Sequence, residues 1–332
     1  MNESFNALRI HLDDKTIVSR FETITLDELC DGDVVIRIQH SSINFKDALA
    51  ATGAGRILRR YPLVGGIDLA GIVESSRDSR YAVGDPVLVT GCGLSETQDG
   101  GYAEFARVPG DCVIPMPEGY DSWHAMCLGT AGFTAALAIH RMEHNGQSPD
   151  NGPVVVTGAS GGVGSLAVDM LAGRGYEVVA ISGKTDAHDY LRELGAARVL
   201  ARDDIAYGSK PLEQTLWAGA IDNVGGEMLT WLTRTTDYNG NIASIGLAGS
   251  HKLQTTVMPF ILRGINLLGI NSSATPREVR IIVWNRIAGD LRPRNLDKIG
   301  HTVELAELPA VFDKYLHGEV TGRMVVNIAG RD

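Results

Sequence analysis

The stretch VVVTGASGGVGS, residues 154–165, constrains the fold more than any other part of the chain. A β-branched run ends in a loop carrying Gly158, Gly161, Gly162 and Gly164, and an apolar helical pattern, VGSLAVDMLAGRG (163–175), begins at once. That order predicts a strand, a tight turn and a helix. Glycine there lets the backbone turn sharply and come close to an anion held at the positive helix N-terminus. The alternation continues through EVVAIS (177–182), DAHDYLRELGA (186–196), a brief VL (199–200), AIDNV (220–224), a helix from about Glu227 and NIASIGL (241–247). Strands apolar on both faces with helices between them predict an α/β fold with a doubly wound parallel sheet.

The residues before the loop read differently. VVIRIQHSSI (34–43), GIVESS (71–76), DPVLVTG (85–91), YAEFARV (102–108) and CVIPMP (112–117) are short runs separated by Gly, Pro and Asp. They predict a compact β-rich domain. The pattern changes near Asp121, where SWHAMCLGTAGFTAALAIHRMEHNG reads as helical up to Asn145-Gly146. After the Gly-rich region, INLLGIN (265–271) is one more apolar strand, followed by a helix around 276–289 and a last strand MVVNI (324–328). No repeat or low-complexity linker separates the parts, and 332 residues suit two domains.

Three chemistries fit the Gly loop to different degrees. A dinucleotide would place its pyrophosphate at the N-terminus of the helix beginning near Val163, with Gly158, Gly161, Gly162 and Gly164 letting the chain turn and approach it. The next strand ends in Ser182-Gly183-Lys184, where an NAD enzyme carries an acidic residue for the ribose 2′-hydroxyl. A hydroxyl and an ammonium suit a 2′-phosphate instead, so NADPH is favoured, with Arg202 adding charge or stacking at the adenosine end. Gly158-Ala159-Ser160-Gly161-Gly162 also matches a hydrolase nucleophile elbow, with Asp222 and then His251 or His301 downstream. That alternative lacks an upstream oxyanion segment and leaves Ser-Gly-Lys unexplained. A short-chain dehydrogenase would need a Tyr followed four residues on by Lys, and tyrosines 176, 190, 207, 238 and 315 have none.

Other features are weaker. His140-Arg141-Met142-Glu143-His144 has zinc-protease spacing at the end of a helix, with no convincing third ligand. Cys30, Cys92, Cys112 and Cys127 are widely spaced, which suggests four free thiols in a reducing cytosol. A net charge of −10 argues against nucleic acid as a partner. No basic n-region precedes an apolar segment and no apolar run reaches bilayer length, so a cytoplasmic protein without a membrane partner is expected. Against this acidic background Arg56, Arg59 and Arg60 form a local basic cluster suited to an anionic substrate tail.

Over essentially its full length the chain resembles the medium-chain dehydrogenase/reductase superfamily. Within it, the chain is most similar to the zinc-free branch of quinone oxidoreductases and acrylyl-CoA reductases. The resemblance is carried by residues 41–73 (SSINFKDALAATGAGRILRRYPLVGGIDLAGIV), 129–139, 154–165, 217–226 and 255–272 (TTVMPFILRGINLLGINS). It implies a GroES-like catalytic domain with its N-terminal part in 1–122, a Rossmann NADPH-binding domain in 123–262, and 263–332 as a dimerisation strand and the return to the catalytic domain. A homodimer follows from that strand. Zinc-dependent relatives carry Gly-His-Glu where this chain has Gly66-Ile67-Asp68, so no metal is expected. By the same resemblance Phe45, which stands where close relatives often have Tyr, would pack near the cofactor. Ser160, Gly161, Gly162 and Val163 would hold its pyrophosphate, Ser182, Gly183, Lys184 and Arg202 its 2′-phosphate end, and Leu247, Ile261 and Ser272 would line its nicotinamide side. The implied reaction is reduction of the C=C bond of an enoyl thioester such as acrylyl-CoA, with backbone N–H groups or the side chains of Asn44 and Ser272 as candidate donors to the thioester oxygen. Alternatives are a quinone or other enone substrate, a serine hydrolase acting through Ser160, and a silent NADPH-binding protein.

Overall fold

A computed structural model of the protein describes residues 4–329. The chain opens with a hairpin of β1 (Ser4–Asp13) and β2 (Thr16–Thr25), turned by Asp14 and Lys15, both at positive φ. Two positive-φ residues give a turn whose twist matches that of the strands. The turn has no glycine, so sequence reading gives no sign of it. Then follow β3 (Val34–Ile43), α1 (Phe45–Thr52), β4 (Leu63–Val64), β5 (Asp68–Ser76), β6 (Pro86–Thr90), β7 (Phe105–Val108), β8 (Ile114–Pro115) and α2 (Ser122–His144). Next come β9 (Val154–Thr157), α3 (Gly162–Gly173), β10 (Val178–Ser182), α4 (His188–Glu193), β11 (Arg198–Ala201), β12 (Trp217–Asp222), α5 (Gly226–Thr235), β13 (Thr236–Ser244), α6 (Met258–Arg263) and β14 (Asn266–Gly269). Near the end lie β15 (Gly300–Glu304) and β16 (Arg323–Asn327).

The chain divides into two compact units, the second interrupting the first. The first unit takes the chain up to Thr130, Ser273–Trp284 and everything from Leu296 on; the second takes Ala131–Ser272 and Asn285–Asn295. The border lies inside α2, one residue after Gly129, whose φ of 50° and ψ of −152° break the helix.

In the first unit the strand order is β15-β16-β3-β5-β6-β8, with β7 also paired to β3, beside a small β2-β1-β4 sheet. The late strand β16 runs antiparallel to β3, bringing Met324 opposite Ile43. Leu8, Ile10, Ile36, Ile38, Leu63 and Phe312 are fully buried here, each such side chain stabilising the fold by about 1.5–3 kcal/mol. One sequence expectation fails in this unit: Cys92 and Cys112 form a disulfide, with Cα atoms 5.8 Å apart, leaving only Cys30 and Cys127 as free, buried thiols. The loop between them doubles back through β7, a closure that residue spacing does not reveal.

The second unit is a six-stranded sheet ordered β11-β10-β9-β12-β13-β14, every neighbouring pair parallel. Every residue of β9, β10 and β12 is buried, as helix-covered parallel strands require. From β9 the order runs one way to β10 and β11 and the other way to β12, β13 and β14. The loops at the carboxyl ends of β9 and β12 therefore flank a topological switch point, where open α/β sheets hold their ligands.

Candidate functional site

The second unit gathers its polar groups at that switch point. Gly158, at φ 57°, turns the chain out of β9, and a Cβ on Gly164 would lie 2.3 Å from the Gly158 carbonyl oxygen. Loop and helix thus touch backbone to backbone. Gly161 caps α3 without any side-chain hydrogen bond, and no acidic residue occupies the first turn. The N–H groups there keep the positive end of the helix dipole open to an anion. Next to Gly161 the buried Ser160 hydroxyl shares a 3.0 Å hydrogen bond with that of Ser182, which also accepts the Lys184 N–H at 3.0 Å.

Arg202, just beyond β11, closes over the same turn, so near Gly183 that a Cβ there would sit 3.1 Å from the guanidinium carbon. The structure therefore brings Ser160, Gly161, Gly162, Val163, Ser182, Gly183, Lys184 and Arg202 to the ends of three adjacent strands. On the other side of the switch point, Thr157 donates to Asp222 at 2.7 Å, and Asn223 donates to the Thr157 carbonyl at 2.8 Å. Asp222 also accepts the Gly225 N–H at 2.8 Å, and burial raises its carboxyl above the usual range. Its oxygens are spent on the loop, and the Ser160 hydroxyl pairs with a serine rather than an imidazole. Ser160 is also absent from the positive-φ residues, so the strained elbow of a hydrolase nucleophile is not formed.

The remaining residues expected on the nicotinamide side are more scattered. Leu247 is exposed, its backbone packed against Gly225 at the end of β12. Ile261 is 71% exposed on α6, beside exposed Val257, Met258 and Leu262. Ser272 accepts a hydrogen bond from Thr134 at 2.8 Å. In the zinc-protease match, the Glu143 carboxylate is taken by Arg286 at 2.6 Å and Arg174 at 3.0 Å.

In the first unit a buried polar network fixes the junction of β3 and α1. Asp68, fully buried, accepts the Ser42 hydroxyl at 2.7 Å, the Asn44 amide at 2.8 Å and the Thr130 hydroxyl at 2.6 Å. Arg323 donates to Ser42 at 2.7 Å, to the Ile43 carbonyl at 2.8 Å and to the Asn44 side-chain oxygen at 3.2 Å. Asn44 begins α1, and Asp47 accepts its backbone N–H at 2.8 Å. Burial, reinforced by the neighbouring Asp68 charge, pushes the Asp47 carboxyl up to about 7. Phe45, 45% exposed, follows directly on this junction. Asn44 is thus not a free donor: its amide nitrogen bonds Asp68 and, at 3.2 Å, Asp47, and its oxygen is claimed by Arg323.

Sequence reasoning did not foresee Ser42, Thr130 or Arg323. The one available signal was Asp68 in Gly66-Ile67-Asp68, together with a lone arginine opening an otherwise apolar last strand. Ile67 is buried, Asp68 is fully bonded, and among the described residues no three His, Cys, Asp or Glu side chains gather as a metal set. The residues at this position do not suit zinc. Of the basic cluster, Arg56 and Arg59 line a cavity with Lys46, while Arg60 turns away to the Cys30 sulfur.

Residues 30–118 match the alcohol dehydrogenase GroES-like domain, and residues 162–288 match the zinc-binding dehydrogenase family model. The acrylyl-CoA reductase AcuI of Ruegeria pomeroyi is 44% identical over 327 residues, covering 98% of this chain and 99% of its own. The crystal structure of Escherichia coli K-12 YhdH with bound NADPH superposes with a TM-score of 0.94 at 45% identity, covering 97% of this chain and 99% of that one. Bacillus subtilis yhfP with NAD bound gives a TM-score of 0.96 at 44% identity, covering 98% and 100%.

Proposed function

The chain belongs to the medium-chain dehydrogenase/reductase superfamily, with a GroES-like domain and a Rossmann-type parallel sheet, and from that premise we propose that it is an NADPH-dependent reductase of activated C=C bonds in enoyl thioesters, acrylyl-CoA foremost. The observation that carries the cofactor is the cradle at Gly183, where Ser182, Lys184 and Arg202 come together and the end of β10 carries no acidic residue to bond a ribose 2′-hydroxyl. The substrate class rests on full-length likeness to the Ruegeria enzyme. When bound, NADPH supplies the hydride that reduces the β-carbon.

The chain's own residues do the rest. The open N-terminus of α3 and the Ser160–Ser182 pair hold the pyrophosphate. Lys184 and Arg202 neutralise the 2′-phosphate through charge-assisted hydrogen bonds. In the first unit, the Asp68–Ser42–Arg323 network holds the end of β3 and the start of α1 rigid, so that Phe45 is presented from a fixed backbone. Charge developing on the thioester oxygen requires a donor, and with the Asn44 amide committed we assign that task to backbone N–H groups or the Ser272 hydroxyl. Asp47 and Asp68 bond inward, and we assign the proton that completes the α-carbon to water.

A direct assay follows oxidation of NADPH by its absorbance with acrylyl-CoA and, separately, with a quinone. Turnover of the thioester upholds the reading; turnover of the quinone alone overturns it in favour of a quinone reductase. An absence of both, with NADPH still bound, would identify a silent binding protein.

We also infer a homodimer built on the edge of the second unit's sheet. Among the described strands β14 pairs only with β13, leaving one side of its backbone without a strand partner, and Val257 before α6, Met258, Ile261 and Leu262 on α6 and Leu267 on β14 lie exposed. A second copy would cover both the edge and the apolar face. Sedimentation equilibrium giving only the 35.6 kDa species at micromolar concentration would dismiss the dimer.

A further inference from the structure

A cavity of about 350 Å³ in the first unit is lined by Lys46, Arg56, Ile57, Leu58, Arg59 and Glu96. Lys46, the second residue of α1, is ion-paired to Glu96. The Arg59 backbone N–H donates to the Glu96 carbonyl at 2.8 Å, tying the arginine-bearing loop to the one that carries Glu96. Neither the Arg56 nor the Arg59 guanidinium has a hydrogen-bond or ion-pair partner among the described residues, and both are exposed. The chain carries 40 acidic against 30 basic side chains. In so acidic a protein, two guanidiniums lining one cavity with no carboxylate paired to either among the described residues are a local excess of positive charge.

We propose that this cavity is the subsite for the phosphate groups of the substrate's coenzyme A moiety, with Arg56, Arg59 and Lys46 as its cations and Glu96 as an internal competitor for Lys46. The proposal rests on the enoyl-thioester reading. Two guanidiniums present planar forks that match phosphate oxygens, whereas Lys46 contributes a point charge. While the cavity is empty, the Glu96 carboxylate holds the ammonium in place. An arriving phosphate dianion offers Lys46 a stronger partner and must displace that carboxylate. Removing the carboxylate therefore strengthens binding, and removing either guanidinium weakens it. Arg60, the third member of the sequence cluster, faces the Cys30 sulfur and takes no part.

The test compares acrylyl-CoA with acrylyl-pantetheine, which keeps the reacting thioester and lacks every phosphate. In Arg56→Ala and Arg59→Ala, KM for acrylyl-CoA should rise by about tenfold each, the usual loss for a hydrogen bond to a charged group, while KM for acrylyl-pantetheine stays put. Glu96→Gln should lower KM for acrylyl-CoA alone. Arg37→Ala, which removes an exposed arginine paired with Glu74 outside the cavity, controls for net charge. Calorimetry with adenosine 3′,5′-bisphosphate adds a readout independent of turnover: binding to the wild type, lost in the double variant Arg56→Ala/Arg59→Ala, supports the subsite. If the ratio of the two KM values does not move with the arginines, the subsite is wrong even though thioester reduction stands. If neither thioester is reduced, the functional reading fails and the calorimetry alone decides the cavity, absence of bisphosphate binding rejecting it.

Discussion

The carboxylate of Asp68 and the guanidinium of Arg323 stand 3.8 Å apart with both side chains buried, and the Ser42 hydroxyl joins them, donating to one and accepting from the other at 2.7 Å each. A pair buried to this degree stabilises only while both partners and their bridging bonds are present, because either charge alone is left without solvent. Arg323→Met, which keeps side-chain bulk, should lower the unfolding free energy by about 3–5 kcal/mol. Adding Asp68→Asn should recover part of that loss, since the orphaned charge disappears. Urea unfolding of both variants measures this, and a loss below about 1 kcal/mol in the single variant would show the network to be marginal.

Gly129 makes room for this network. A Cβ there would lie 2.6 Å from an Asp68 oxygen, 2.8 Å from an Arg323 nitrogen and 2.8 Å from the Ser42 hydroxyl, besides straining a backbone at φ 50°. Gly175, at φ 91°, shares the positive φ but has nothing within 4 Å. Gly129→Ala should therefore cost clearly more than the roughly 1–2 kcal/mol expected of Gly175→Ala from conformation alone. Equal costs by thermal denaturation would mean that the network yields without penalty.

The contrast between these features and the Gly loop explains what could be read in advance. The strand at 34–43 is found with the bounds its apolar pattern predicts, and the loop from Gly158 to Val163 was legible because strand, turn and helix are contiguous. Ser182, Lys184 and Arg202 could be placed because parallel βα units repeat, carrying successive strand ends to one edge of the sheet. The Asp68–Arg323 pair arises only when the last strand of the chain pairs with β3, and nothing local announces that pairing. The Asn44 amide looked like a donor for substrate because its partners, Asp68 and Arg323, lay beyond the reach of local pattern. Nor does local pattern bring Cys92 to Cys112, whose pairing depends on the path of the loop between them.

Asp47 makes stability depend on pH. Its folded value, about 7, lies above the ordinary 3.8, so between those limits the folded chain holds a proton that the unfolded chain has released. The contribution is intact at low pH and is lost as pH rises toward and through 7, with a slope approaching 1.4 kcal/mol per pH unit. Asp47→Asn, which does not titrate, should gain on the wild type across this window. The comparison is the difference between the two unfolding curves at pH 5 and pH 8; a constant difference would contradict the assignment.

The Cys92–Cys112 bridge closes a sequence separation of 20 residues. Loop-closure entropy then predicts that its removal costs about 3 kcal/mol. Cys92→Ser/Cys112→Ser should melt well below the wild type, and reductant should lower the wild type to the same temperature while leaving the variant unmoved. Because the bridge spans the loop that carries Glu96, the reduced enzyme should also show a changed KM for acrylyl-CoA at temperatures where it remains folded. A melting temperature indifferent to reductant would mean that the bridge does not form in solution.

Lys184 carries the sharpest prediction about the cofactor. Its backbone N–H is held by Ser182, and the Arg202 guanidinium, from just beyond β11, lies against Gly183, so a 2′-phosphate held at this turn would meet two cations. Lys184→Asp replaces one cation with a carboxylate where NAD enzymes place theirs. The KM for NADPH should rise by about 10- to 100-fold, reflecting loss of a charge-assisted bond and gain of repulsion, while the KM for NADH falls or holds. Arg202→Ala should weaken NADPH by a smaller factor and leave NADH alone, because the guanidinium already shares its charge with Asp203 at 3.3 Å. The ratio of kcat/KM for the two cofactors, measured with one thioester at saturation, decides the matter. If that ratio is unchanged in Lys184→Asp, the turn after β10 does not choose the cofactor.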